Sequence, residues 1–288
     1  VNRNFIVAHS VIIASKGRPG VLQETLESLA RQDLPPGEII VSVTCQHDVA
    51  TPAGFGSHKL LFGPAGSSTQ RNTGIRALDP KCELVTFLDD DVELAPDYFR
   101  QLRRLVVENP DAVGFGGKVL LNGTTRLVAK QTIREMAGNS GGVAQAVSGL
   151  YGCNMSFRRS AMLDEGFDER LSLYAWLEDF DFSSRMARKG RLLIGPDMIL
   201  CHLAAPSGRM SHARFGFAQI MNPFYLAKKG IMTWPECLKK HLIAAILGNL
   251  AHLAKDPKSR SQRLLGNFKA LRMIARGTIK PEAVMDLK

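Results

Sequence analysis

The stretch Leu84 to Leu94, Leu-Val-Thr-Phe-Leu-Asp-Asp-Asp-Val-Glu-Leu, constrains the fold of this chain more than any other. Its apolar first half predicts a buried strand, but three consecutive carboxylates cannot follow that strand into a core, because unpaired buried charge is too costly. The acids must therefore face water or a cation where the strand ends. Carboxylates one residue apart at a strand end can converge on a divalent metal, and Mg²⁺ prefers a few carboxylates together with phosphate oxygens. That chemistry points to a diphosphate ligand. The same three acids, Asp89, Asp90 and Asp91, also suit the cap of a helix starting near Pro96, so the rest of the chain must decide.

The chain has 288 residues, 45% of them hydrophobic, enough for one large core or a core with an appended subdomain. Its five cysteines, Cys45, Cys82, Cys153, Cys201 and Cys237, are scattered and never paired as C-x-x-C. This argues against a disulfide framework and against a thiolate zinc site, and fits a reducing compartment. The first residues lack the pattern of a secretory signal. The longest apolar stretch, His241 to Ala254, is interrupted by Asn249 and His252 and falls short of the roughly 20 residues a membrane span needs. Net charge is +10, and from Lys228 onward thirteen Lys and Arg face four acids, so nearly all the excess lies in the tail. Such a tail suits a nucleic acid, an anionic membrane or simply a solvated helical face.

Val11 to Ala14 predicts a buried strand, Pro19 a helix start, and Glu38 to Val43 a second strand. Strand, helix, strand is the opening of an α/β unit, in which ligands gather beyond the C-terminal ends of parallel strands. Ser15, Lys16 and Arg18 stand at the first such end, and Thr44 and Asp48 at or after the second. Lys16 and Arg18 suit phosphate or an exposed loop equally. Lys59 to Phe62 is a weaker strand, and Gly66-Ser-Ser-Thr after it can open a helix whose free amides favour an anion, with Gln70, Arg71 and Asn72 one turn later. The segment lacks the G-K-[ST] ending of a P-loop.

Val113 to Leu121 reads as a further strand, followed by a polar stretch to Ser148 with no predicted element and room for acceptor-side loops. Glu178, Asp179 and Asp181 begin a helix. A carboxylate at such a position is favoured as the ion and can act as a base, although an acidic cap with Trp176 as core filler fits the same residues. Leu192 to Leu200 is another strand, and His202 leaves its end, as a metal ligand or as an ordinary hydrogen-bonded histidine. Beyond Ala204-Ala-Pro-Ser-Gly-Arg209 the pattern turns helical over 215–229, 234–255 and 260–276, and Leu238, Leu242, Ile246 and Leu250 share a face beside Lys239 and Lys240. Basic amphipathic helices either lie in a membrane interface or cover a core.

In order, Val-Ile-Ile-Ala-Ser-Lys-Gly-Arg-Pro at 11–19, Gln-Arg-Asn-Thr-Gly at 70–74, Phe-Leu-Asp-Asp-Asp at 87–91, Gly-Phe-Asp-Glu at 166–169 and Trp-Leu-Glu-Asp at 176–179 resemble glycosyltransferase family 2, from about Ser10 to His202. The resemblance implies a GT-A fold: a Rossmann-like, mixed but mostly parallel sheet flanked by helices, here with a helical C-terminal extension. It implies a transferase domain over 1–205, its nucleotide-binding half ending near 122 and its acceptor-binding half running from 123 to 205, followed by a basic extension over 206–288. It implies that Ser15, Arg18, Thr44, Arg71, Asp89 and Asp90 bind the nucleotide sugar, with Asp91 and His202 on Mg²⁺ or Mn²⁺. Asp179 becomes the catalytic base, and Asn154, Trp176 and Glu178 shape the acceptor side. One departure leaves the nucleotide open among UDP, GDP and dTDP. Family members often carry an acid directly after the second strand, and here Val43-Thr44-Cys45-Gln46 stands there with Asp48 displaced.

The implied activity is inverting transfer of a hexose to a glycan or lipid-linked acceptor in cell-surface polysaccharide or glycolipid synthesis, in the cytoplasm or on the inner face of the membrane. Two rivals remain. A nucleotidyltransferase shares the α/β plan, but Lys16-Gly-Arg-Pro is a poor substitute for its glycine-rich basic signature. A nucleic-acid-binding protein would use the tail, yet the basic patches there lack interleaved aromatics, so no nucleic-acid partner is expected.

Overall fold

His9–Ala14 forms β1, and its central residues Val11, Ile12 and Ile13 are fully buried, as a β-branched run inside a parallel sheet should be. The computed structural model describes residues 8–50, 58–136, 141–205 and 210–287. Residues 1–7, read above for a signal segment, and 206–209 of the loop after Ala204 lie outside that set, as do 137–140 of the polar stretch. The described residues fall into two units, one drawn from Val1–Ala65, Gln70–Gly166 and Phe182–Gly208, the other from Gly66–Thr69, Phe167–Asp181 and Arg209–Lys288.

The first unit holds β1, β2 (Glu38–Val43), β3 (Lys59–Phe62), β4 (Leu84–Asp89), β5 (Val92–Leu94), β6 (Ala112–Asn122), β7 (Gln145–Val147), β8 (Asn154–Arg158) and β9 (Arg191–His202). These make one sheet in the order β3-β2-β1-β4-β8-β6-β9-β5, with β7 also on β9. β1, β2, β3 and β4 pair in parallel, β8 runs antiparallel to both β4 and β6, and β9 is parallel to β6. The chain leaves β1 towards β2 and β3, then returns to place β4 on the other side. That reversal between β1 and β4 is where an open α/β sheet gathers its ligands.

Helix α1 (Pro19–Ala30) starts at the predicted proline and buries Leu22, Thr25, Leu26 and Leu29, one stripe at helical spacing, in the same core as α3 (Tyr98–Glu108). α2 (Ser67–Arg76) follows the glycine-rich loop. α3 begins two residues after Pro96, because Val92–Leu94 first makes a short strand against β9. The polar stretch without a predicted element contains α4 (Arg126–Met136) and β7. α5 (Glu178–Ala187) has the unit boundary within it, and its Phe182 is fully buried against Phe87 and Phe157, ring centroids 6.0 and 5.1 Å away.

The second unit is mostly helical: α6 (His212–Lys228), the single turn α7 (Trp234–Glu236), a π-helical segment Cys237–Ile243, α8 (Ala244–Ala251) and α9 (Pro257–Ala275). Phe217, Ile220, Met221, Leu226 and Cys237 form its core with Leu171 and Ala175. The segment Phe167–Asp181 belongs here, and three of its residues, Leu173, Ala175 and Leu177, have φ of 61°, 50° and 73°. Side chains with a Cβ rarely adopt that left-handed region, and such outliers concentrate where a protein does its work.

Candidate active site

β4 ends at Asp89, and Asp90 and Asp91 make the turn into β5. That turn buries Asp90 and brings Asp89 and Asp91 together beside His202. Asp90 is 0% exposed and receives hydrogen bonds from the Ser15 hydroxyl at 2.5 Å and from Nε of Arg18 at 3.1 Å. Burial pushes its carboxyl up to about 7, against the pull of Arg18 and Ser15. Thr25 adds a hydrogen bond to the Asp90 carbonyl at 2.7 Å. Asp90 and Ser15, both expected on the nucleotide sugar, bond to each other, while Asp89 and Asp91 meet His202.

His202 reaches Asp91 through strand pairing. β5 runs antiparallel to β9 with Val92 opposite His202, and β6 places Asn122 opposite His202 from the other side. Nε2 of His202 lies 3.1 Å from Oδ1 of Asp91 and 3.7 Å from Oδ2 of Asp89. Its Nδ1 is 2.9 Å from the side-chain oxygen of Asn122, which fixes the ring and leaves Nε2 directed at the carboxylates. Ligand atoms of Asp89, Asp91 and His202 all lie within 4.8 Å of one another.

Several observations test whether this set fits a divalent cation. Oδ1 of Asp91 is buried and faces Nε2 of His202, while its Oδ2 accepts from the Ala205 amide at 2.8 Å. Two carboxylates and an oriented imidazole are suitable donors, and the remaining positions can take phosphate oxygens. Burial works against ionisation of Asp91, but the His202 ring, Arg18 and the Ala205 amide together hold its carboxyl below the usual range. Burial likewise lowers His202, and the hydrogen bond to Asp91 with the charges of Asp89 and Asp91 more than reverses this, raising it overall. The negative potential that favours a proton on His202 would equally favour a divalent cation, which would take the place of that proton on Nε2.

The remaining residues sort by what they touch. Arg71, on α2, donates from Nη2 to Asp89 Oδ1 at 3.0 Å and to the Gly152 carbonyl at 3.1 Å. Arg18 Nη1 reaches Asp91 Oδ2 at 3.3 Å. The amide nitrogen of Gln70 bridges the carbonyls of Ser15 and Ser42 at 2.8 and 2.7 Å, tying the ends of β1 and β2. Asp48 completes that tie, accepting from Gly17 N at 2.6 Å, Thr44 N at 2.8 Å, Thr44 Oγ1 at 2.6 Å and Cys45 N at 3.1 Å. The displaced acid therefore staples two loops, and the hydroxyl of Thr44 turns to it.

Asn154, expected on the acceptor side, is 1% exposed and closes on both backbone groups of Gly117, at 3.1 and 3.3 Å. It joins β8 to β6. Gly117 has no room for a side chain, since a Cβ there would lie 2.4 Å from the Met198 carbonyl.

Trp176, Glu178 and Asp179 belong to the second unit. The Trp176 ring meets Phe215 edge-on at 5.3 Å and its carbonyl accepts from Asn222 at 2.8 Å. Glu178 accepts from the Ser67 hydroxyl at 3.2 Å, and Asp179 accepts from the Phe180 amide at 2.8 Å. Lys229 spans Asp168 and Asp181, 2.7 Å from each, and the Tyr225 hydroxyl donates to Asp168 at 2.7 Å.

Sequence reasoning missed Asn122, the Ala205 amide and Tyr151, whose ring stands edge-on to His202 at 5.9 Å. Only the pairing of β6 with β9 reveals Asn122.

A family model described as glycosyl transferase family 2 matches residues 10–164. The chain belongs to this family. No curated protein matches it in sequence. Among solved structures this family member is similar to GalNAc-T7 with UDP, GalNAc and Mn²⁺, at TM-score 0.57 and 13% identity over 81% of this chain and 52% of that one. It is similar to S. aureus TarS 1–349 in complex with UDP, at TM-score 0.54 and 18% identity over 76% and 65% of the two chains. It is also similar to the mannosyltransferase PcManGT from Pyrobaculum calidifontis with GDP-Man and Mn²⁺, at TM-score 0.51 and 17% identity over 92% and 87%. The chain spans 39% of the longer S. aureus TarS chain, which it matches at TM-score 0.51 and 18% identity over 76% of its own length. The fold is therefore GT-A, with a mixed, mostly parallel sheet and flanking helices, and family membership supports glycosyl transfer as the chemistry.

Proposed function

We propose that this protein transfers a hexose from a nucleoside diphosphate to an acceptor hydroxyl, inverting the anomeric centre. The observation that carries the reading is the convergence of Asp89, Asp91 and His202, whose ligand atoms lie within 4.8 Å of one another. Structural neighbours holding UDP, GDP-Man and Mn²⁺ support a nucleotide-sugar donor with UDP, GDP or dTDP as carrier and Mn²⁺ or Mg²⁺ as the ion.

Asp91 and His202 hold the ion, and Asp89, steadied by Arg71, lies towards the nucleotide ribose. When bound, a divalent cation offsets the negative charge that grows on the departing diphosphate. Ser15 and Thr44 line the nucleotide pocket, their hydroxyls held by Asp90 and Asp48. Arg18 orders the loop after β1 by bonding to both Asp90 and Asp91. Asp179 takes the proton from the acceptor hydroxyl. The acceptor oxygen then forms its bond to the anomeric carbon as the bond to the diphosphate breaks, and the electron pair leaves with the phosphate. Trp176 and Glu178, on either side of the strained Leu177, shape the acceptor side.

The acceptor is a glycan or a lipid-linked sugar, met in cell-surface polysaccharide or glycolipid synthesis at the cytoplasmic face of a membrane, with the basic C-terminal helices against anionic lipid. The test is a donor-hydrolysis screen over UDP-, GDP- and dTDP-sugars with Mn²⁺ or Mg²⁺, watching for free nucleoside diphosphate. Release that needs the metal and disappears in Asp91→Ala is expected. Pyrophosphate from a nucleoside triphosphate and a sugar phosphate, with no diphosphate from any sugar donor, would make the protein a nucleotidyltransferase instead.

A further inference from the structure

The helices α8 and α9 pack Ile246, Ala270, Met273 and Ile274 into the core of the second unit and also carry buried amides. Asn249 on α8 and Asn267 on α9 are both buried and hydrogen-bond to each other at 3.0 Å, and Asn267 donates to the Gly216 carbonyl of α6 at 2.7 Å. α6 and α9 meet at glycines, since a Cβ on Gly216 or Gly266 would fall 2.1 Å from the backbone carbonyl of Arg263 or Ala213. Each outward face carries an exposed apolar stripe. Ile243, Leu247 and Leu250 recur at helical spacing, as do Leu265 and Phe268, and Leu247 and Phe268 are 59% and 62% exposed.

A solvated helix carries its polar residues outward. Small residues and amides between helices, with large apolar side chains facing away, are how helices pack when their surroundings are themselves apolar. Yet α9, the longest helix described at 19 residues, carries five cations, and no helix among the described residues is long and apolar enough to cross a bilayer. An apolar face bordered by cations suits the interface, where Lys and Arg stems lie along the apolar surface and their heads meet phosphate. Exposed Lys239 and Lys240 border the stripe of the π-helical segment and α8, and Arg272 and Arg276 that of α9 and its end.

We infer that the outward face of the α8 and α9 pair is an interfacial docking surface for an anionic lipid bilayer, seated by Leu247 and Phe268 and held by the flanking cations. A second copy of the chain is the poorer occupant, because a two-fold contact would set this cationic face against itself. The assignment rests on the proposed placement at a membrane and deepens it, but not on the chemistry of transfer, which is measured separately.

Co-sedimentation of the full chain with phosphatidylcholine vesicles and with vesicles containing 30% phosphatidylglycerol provides the test. At least tenfold stronger binding to the anionic vesicles, weakening as salt is added, is expected. Lys239→Gln with Arg272→Gln should lower that binding by roughly 25-fold, about fivefold per cation. Leu247→Gln with Phe268→Gln should abolish it. Donor hydrolysis in solution should be unchanged in both pairs, which keeps a lipid defect distinct from a failed transferase reading. Equal, negligible binding to both vesicle types overturns the proposal. So does a wild-type dimer that the Leu247 and Phe268 changes convert to monomer while leaving vesicle binding intact.

Discussion

Lys229→Met should loosen the segment from Phe167 to Asp181. In the wild type, Lys229 lies 2.7 Å from both Asp168 and Asp181, and Asp181 is 0% exposed. Removing one partner of a buried ion pair costs roughly 3–5 kcal/mol, because the other charge is left uncompensated. The Lys229 side chain is 27% exposed, so water reaches the pair and the expected loss is about 2–4 kcal/mol. Burial alone would raise Asp168, but Lys229 and Tyr225 together hold its carboxyl below the usual range, so the cation favours this acid as the ion.

The segment carries an opposing load. Left-handed backbone at Leu173, Ala175 and Leu177 costs roughly 1–2 kcal/mol per residue. Hydrogen bonds from Ser67 N to the Leu173 carbonyl, Ser68 Oγ to the Leu171 carbonyl and Asn222 to the Trp176 carbonyl offset part of it. Without Lys229 the balance for this conformation turns unfavourable, and the segment should relax. The two tryptophans, Trp176 and Trp234, both belong to the second unit, so tryptophan fluorescence reports its unfolding without labels. Urea unfolding followed this way should show Lys229→Met destabilised by about 2–4 kcal/mol and Asp181→Asn in that background recovering at least about 1 kcal/mol, since the stranded charge is then gone. A Lys229→Met midpoint within about 0.5 kcal/mol of wild type would refute the argument.

Three further outcomes follow from the site. Asp91→Asn should abolish tight Mn²⁺ binding, and Asn122→Ala, which frees only the His202 ring, should weaken it roughly 10–100-fold, both read by titrating free Mn²⁺ with electron paramagnetic resonance. Asp179→Asn should lower kcat for transfer roughly 10²- to 10⁴-fold with donor KM unchanged, and full activity with the true acceptor would remove Asp179 as the base. For Asp48, burial is outweighed by hydrogen bonds from Thr44, Gly17 and Cys45, so its folded pKa lies below the ordinary value. Its contribution is then complete above about pH 4 and is lost as pH falls through the depressed folded value. Asp48→Asn should lower the melting temperature near pH 7, with the gap from wild type closing below about pH 4.

The strand positions were readable because apolar runs with β-branched residues leave few alternatives, and the acid ending of β4 marked the site for the same reason. What the sequence left undecided was which side each acid took. The turn after β4 separates Asp90 from Asp89 and Asp91, and Asp90 is held inward by Ser15 and Arg18, more than seventy residues earlier. Asn154 and Thr44 are ambiguous in the sequence for a related reason. Polar side chains at strand ends suit a ligand or a backbone group equally, and only the neighbouring strands show that Gly117 and Asp48 claim them.

The left-handed run had no local signal at all, since Leu and Ala do not favour that backbone and only tertiary contacts impose it. That explains why Lys229 went unnoticed: a lysine in a basic tail looks like solvated charge until the acids at both ends of a strained segment close on it. The tail's excess charge therefore has two different fates. Lys229 is drawn inward to neutralise Asp168 and Asp181. Lys239, Lys240, Arg272 and Arg276 stay outside beside an apolar face that water alone gives no reason to expose.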